Sequence, residues 1–167
     1  MFKFSVAQTF HPSDDGSKVH FVIKNFGINT GGDFTGLKGT INFNPADPEK
    51  SEFNVSISAA TINTNIKARD NDLRKAYYFD VDRFPLISFS STKVVKSATD
   101  GHYFITGNLT IKGVTRQIQF GFKATPANDG YLFSGGFAIN RIDFGIGGNS
   151  LVLSDNVSVT LSVLAKK

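Results

Sequence analysis

Apolar and polar residues alternate with a period of two along most of this chain. Phe53, Val55, Ile57 and Ala59 fall on one face, and Glu52, Asn54, Ser56 and Ser58 on the other. Successive side chains of a strand point to opposite faces, so the pattern predicts a half-buried strand. The same alternation runs through residues 2–6, 19–23, 87–89, 103–111, 118–122, 131–139 and 157–163. With residues 34–43, it predicts about nine strands.

The segments between them carry turn chemistry. Asp100-Gly101 and Asp129-Gly130 favour positive φ and read as hairpins. Lys112-Gly113 joins two alternating runs at the tightest spacing. Consecutive hairpins across residues 86–139 predict an antiparallel meander. Asn44-Pro45 and Asp47-Pro48 end the third strand, because proline cannot donate to a ladder. Gly36, Gly39, Gly107, Gly121, Gly135 and Gly136 interrupt strands and admit bulges and bends. Such bends let a sheet close and lose its exposed edges. The expected fold is therefore all-β: an antiparallel closed barrel of about eight strands, favoured over a flat-sided sandwich.

One stretch breaks the alternation. In residues 66–85, Ile66, Leu73, Ala76 and Tyr77 fall at helical intervals on one face. Asn63, Thr64 and Asn65 offer capping side chains, and the segment from Asp82 to Pro85 ends the excursion. A short α-helix between two strands is expected to cover one end of the barrel, with Phe79 and Phe84 extending the plug. Packing on the outside of the sheet is the alternative.

Composition sharpens this picture. The chain has 17 Phe, 16 Gly, one Met and no Trp. Phenylalanine brings apolar area without a polar handle. A barrel of about eight strands either fills with side chains or holds one small ligand. Phe and Gly together on the inner face favour a cavity.

Charge and motifs mainly exclude functions. Eighteen Lys and Arg face 14 Asp and Glu, and the cations are scattered singly, so no nucleic-acid patch is expected. No cysteine is present, which removes disulfides, thiolate metal sites and a cysteine nucleophile. His11, His20 and His102 have no metal-ligand spacing, so no metal is expected. No G-x-S-x-G elbow anchors a hydrolase triad. The Asp80-Val81-Asp82 run between Arg74 and Arg83 reads as salt-bridged loop. In the run that begins Gly145-Ile146-Gly147-Gly148, Ser150 stands where a G-x-G-x-x-G loop has its third glycine, and no helix pattern follows. The length of 167 residues suits one domain, residues 1–167. No run approaches the roughly 18 apolar residues of a membrane span. A periplasmic or secreted location is expected if a leader has been removed, and a cytoplasmic one if the sequence is complete.

Seven motifs in order carry a family resemblance. They are VHFVIKNFG (19–27), GDFTGLKGTINFNP (32–45), ISAATINTN (57–65), RDNDLRKAYYFDVDRFPLISFSS (69–91), GNLTIKGVTRQIQF (107–120), INRIDFGIGG (139–148) and LSDNVSVTL (153–161). Together they resemble the YceI-like family of polyisoprenoid-binding proteins over almost the whole chain. The resemblance implies a lipocalin-like barrel with a long isoprenoid chain inside, sometimes bearing a quinone or phosphate head. Arg69, Asp70, Leu73 and Arg74 match the family's Arg-Asp-x-His-Leu-Arg, but Asp72 stands where His is usual. Tyr78-Phe79 replaces its Phe pair. Lys24-Asn25-Phe26-Gly27 likewise departs from Lys-His-x-Gly. A head-group role for those histidines does not carry over.

The resulting expectation is a non-enzymatic carrier of a long-chain isoprenoid lipid, with the lipid or a quinone as ligand and no other cofactor. Its lining would be Phe21, Ile23, Phe53, Val55, Ile57, Phe89, Phe120, Phe122, Phe133 and Phe137, with Leu73 and Tyr77 closing one end. Arg69 and Asp70 are candidates for a head-group contact or for anchoring the helix. A strand of about nine residues spans roughly 30 Å, so a lipid could run the barrel's length. Transient membrane contact for loading and a homodimer are further expectations. The alternatives are an enzyme acting on a prenyl lipid and a structural β-domain with a packed core.

Overall fold

The computed structural model describes residues 8–167, so the alternating residues 2–6 lie outside the described region. Ten strands run through it: β1 (Gln8–Pro12), β2 (Lys18–Asn25), β3 (Ile28–Phe34), β4 (Lys38–Phe43), β5 (Glu52–Ser58), β6 (Leu86–Lys96), β7 (His102–Ile111), β8 (Val114–Ala127), β9 (Gly130–Asn140) and β10 (Leu153–Lys166). A single helix, α1 (Lys67–Leu73), stands between β5 and β6 among the described residues.

All ladders are antiparallel. Eight strands form a ring in the order β1-β4-β5-β6-β7-β8-β9-β10, and β10 closes it by pairing Lys166 with His11 and Ala165 with Pro12. β2 takes up the rest of that edge of β10, with Leu161 opposite Val19 and Val157 opposite Ile23. β3 pairs with β2. β1 and β2 thus behave as one long strand interrupted at residues 13–17, and β3 and β4 as another interrupted at 35–37. The result is an up-and-down closed barrel.

The interruption at 35–37 divides what the sequence reads as one strand, 34–43. Gly36 adopts a φ of 82°. The Gly36 and Leu37 amides donate to the Asp14 carboxylate at 3.0 and 2.9 Å, not to a neighbouring strand. β1 went unread because Phe10 is the only large apolar residue in QTFHP.

The helix is also shorter than its pattern suggests. It stops at Leu73, and Phe79 donates its amide back to the Leu73 carbonyl at 3.0 Å. Turns occupy residues 74–83, where Asp80 has a φ of 49°. No side chain caps the start: Ile66 holds that position. Tyr77 is therefore not on a helix face and is 61% exposed.

The interior divides into two levels. At one end the rings pack solidly around Phe43, whose centroid lies 5.0 Å from Tyr131, 5.2 Å from Phe133, 5.3 Å from Tyr103 and 6.3 Å from Phe53. Phe122 joins them and stacks on Tyr103 at 5.3 Å. At the other end Val19, Phe34, Ile87, Leu109 and Phe144 form a second cluster, against which Leu73, Tyr78 and Phe79 pack. The excursion between β5 and β6 thus lies over that end of the barrel, as expected.

Candidate functional site: an apolar cavity

The second cluster lines a cavity of about 250 Å³, partly open to solvent. Engineered cavities of roughly 150 Å³ already stay dry and admit benzene. Its wall is almost wholly apolar. Several strands contribute inward residues two apart, because the pleat alternates faces: Phe21 and Ile23 from β2, Val55 and Ile57 from β5, Val157 to Val163 from β10. That stretch of β10 is roughly 20 Å long.

Of the residues expected to line an interior, Phe21, Ile23, Val55, Ile57, Leu73, Phe89, Phe120 and Phe137 border this cavity. Phe53, Phe122 and Phe133 do not. They are buried in the solid end around Phe43. Tyr77 also lies elsewhere, and its neighbour Tyr78 takes the place expected of it, beside Phe79. Phe84 packs outside the cavity, with the Arg83 guanidinium 5.1 Å from its ring. The aromatic floor means that no guest can run the full length of the barrel. Alternation tells which side of a strand faces inward but carries no information on depth, so floor and wall look alike in sequence.

Glycines shape the wall. A Cβ at Gly107 would strike the Phe89 ring, and one at Gly32 would strike the Phe21 ring. Both glycines let a phenylalanine lie flat across the neighbouring strand. Gly107 also pairs with Ser91 beside the bulge in β6.

Three charged side chains at this end, Arg69, Asp70 and Arg74, are engaged within the protein. Asp70 is 6% exposed. Its Oδ1 accepts the Thr64 amide at 2.9 Å and the Thr64 hydroxyl at 2.5 Å. Arg69 borders the cavity and donates from Nε to Thr64 Oγ1 at 2.8 Å and from Nη2 to the Thr64 carbonyl at 2.9 Å. Both therefore anchor α1 to the preceding loop. Arg74 does the same through the carbonyls of Ala60 and Ile62, at 2.8 and 3.2 Å.

One structural residue escaped the sequence reading. Arg141 is 2% exposed and borders the cavity. It donates to the carbonyls of Ile146, Gly148, Ser154 and Leu153 at 2.9–3.3 Å, and Asp155 lies 3.5 Å away. It clamps the loop between β9 and β10. An arginine at the end of an apolar strand was the available signal. His20 lies 2.8 Å from Asp33. Among the described residues, no group of three His, Cys, Asp or Glu converges as a metal site.

A closed antiparallel barrel with an apolar hollow beneath the excursion that carries α1 defines a lipocalin-like fold. The chain belongs to the YceI-like domain family, whose model matches residues 10–165. A UPF0312 protein of Pectobacterium atrosepticum is 36% identical over 112 residues, covering 66% of this chain and 57% of that protein. The chain thus matches little more than half the length of that curated relative. BcnA of Burkholderia cenocepacia superposes with a TM-score of 0.84 at 22% identity, covering 90% of this chain and 96% of that one. A polyisoprenoid binding domain from Saccharophagus degradans superposes with a TM-score of 0.76 at 16% identity, covering 96% and 98%. At these identities the two structures establish the shared fold alone.

Proposed function

We propose that this protein binds and carries a long-chain isoprenoid lipid, of polyprenyl or prenyl-quinone type, without chemistry on it. The observation that carries this reading is the hollow walled by Phe21, Ile57, Phe89, Phe120 and Phe137. Burying a methylene contributes about 0.8 kcal/mol. Ten such carbons give roughly 8 kcal/mol before ordering costs, near micromolar affinity. A tail can therefore bind with no charged clamp. The ligand-binding domain from Saccharophagus degradans, with the same fold, is described as binding polyisoprenoid.

The cavity is smaller than the roughly 300–1,000 Å³ of common ligand pockets. A long chain inserts one end as far as the aromatic floor and leaves the remainder at the mouth. Of the polar groups bordering the cavity, Arg69 and Arg141 are engaged in holding loops in place.

Ile57→Lys tests the reading. A buried ammonium without a partner is strongly unfavourable, so this variant should lose uptake of a prenyl alcohol or quinone from detergent. Uptake equal to the parent would place the lipid elsewhere.

A further inference from the structure

The end of the barrel that holds the cavity carries apolar side chains with no partner. Phe26 is 72% exposed and Ile28 69%, both at the β2–β3 hairpin. Leu151 is fully exposed and Val152 partly so, in the loop before β10. These two tips are one structure: the Phe26 amide donates to the Val152 carbonyl at 2.8 Å. Their neighbours Asn25, Thr30 and Leu153 border the cavity, so the apolar patch runs into the cavity wall. Ile66, half exposed, follows three residues after Asn63, which bridges Asp33 of β3.

Phe26 is doubly unfavourable where it stands. The turn needs positive φ at both central residues, 52° for Phe26 and 74° for Gly27. Asn-Gly is the pair such a turn prefers, and a bulky residue there is strained. Its ring also finds no packing in exchange. A strained, exposed aromatic at a hairpin tip is accounted for by a contact made outside the chain. Lys24, two residues before Phe26, and Lys67, next to Ile66, are both exposed.

We propose that this rim docks on a lipid bilayer bearing anionic headgroups, with Phe26, Ile28 and Leu151 entering the interface and the cavity mouth facing the membrane. The inference rests on the lipid-carrier reading above. Protruding apolar tips flanked by cations suit a headgroup boundary, where aromatic and aliphatic side chains bury and lysines meet anionic lipid. A second protein seated here would shut the route by which an oily guest enters.

The chain has no tryptophan, so Phe26→Trp gives a single reporter. Its emission should shift to the blue with vesicles of phosphatidylethanolamine and phosphatidylglycerol, and added salt should weaken the effect. Phe26→Asn restores the residue the turn prefers. It should raise thermal stability and yet lower flotation with those vesicles by about tenfold, the equivalent of one lost large apolar anchor. Phe26→Asn with Leu151→Asn should also slow transfer of a prenyl quinone out of vesicles while leaving uptake from detergent at the parental level. Flotation and transfer equal to the parent would overturn the proposal. So would a parent that sediments as a dimer, is monomeric as Phe26→Asn, and does not float: the rim would then join two copies. A parent that floats but takes no lipid from detergent would sink the carrier reading and leave docking standing.

Discussion

At the scale of single residues, position along the barrel decides what an aromatic does. Phe120 and Phe122 are two residues apart on β8, yet one borders the cavity and the other packs the floor. Tyr103 sits in that floor. Burial, then the nearby Tyr131 and Asp100, push its phenol above the ordinary tyrosine value. A raised value means that the fold favours the protonated form. That contribution is whole below the unfolded value of about 10 and is lost as pH climbs through the folded value. Stability, followed by denaturant titration between neutral pH and strongly alkaline pH, should therefore fall on the alkaline side. Tyr103→Phe should flatten that fall; an unchanged alkaline slope would mean another group governs it.

At the scale of elements, strand identity and hairpin order were legible because each core strand needs a period of two to present one apolar face. β5, β7, β9 and β10 lie where alternation is strongest. Two features were hidden. The break at residues 35–37 depends on Asp14, a carboxylate more than twenty residues away. The length of α1 depends on tertiary hydrogen bonds, since Asp70 and Arg74 hold the excursion through Thr64, Ala60 and Ile62. Apolar residues at helical spacing beyond Leu73 cannot override those ties. Asp70→Ala should therefore strand buried donors on Thr64 and lower stability by about 1–3 kcal/mol. Amide exchange should quicken across α1 and leave β7 and β8 protected. Uniform loss of protection would show that the cover and barrel unfold as one unit.

At the scale of the molecule, the barrel is a cup: solid below, hollow above, covered by the excursion between β5 and β6. The candidate site was legible as a set of inward faces but not as a depth, so Phe53, Phe122 and Phe133 looked equivalent to Phe21 and Phe137. Phe43 lies at the centre of the floor, so under the proposed carrier function it limits how far a guest descends. Val55, Phe89 and Phe120 touch both levels, so a void made there would join the cavity. Phe43→Ala should cost about 3–5 kcal/mol, and the milder Phe43→Leu less. Either should shift bound lipid toward tighter holding of long chains, measured by competition between prenyl alcohols of different length. A length preference identical to the parent would mean the floor does not limit the guest.

The central claim is that the upper half of the barrel is a hollow occupied by one oily chain. Intact-mass spectrometry of the protein purified without detergent, followed by organic extraction, addresses it most directly. The account predicts close to one isoprenoid lipid per chain for the parent and none for Ile57→Lys. A parent that carries no lipid, even after incubation with prenyl quinone, would contradict it.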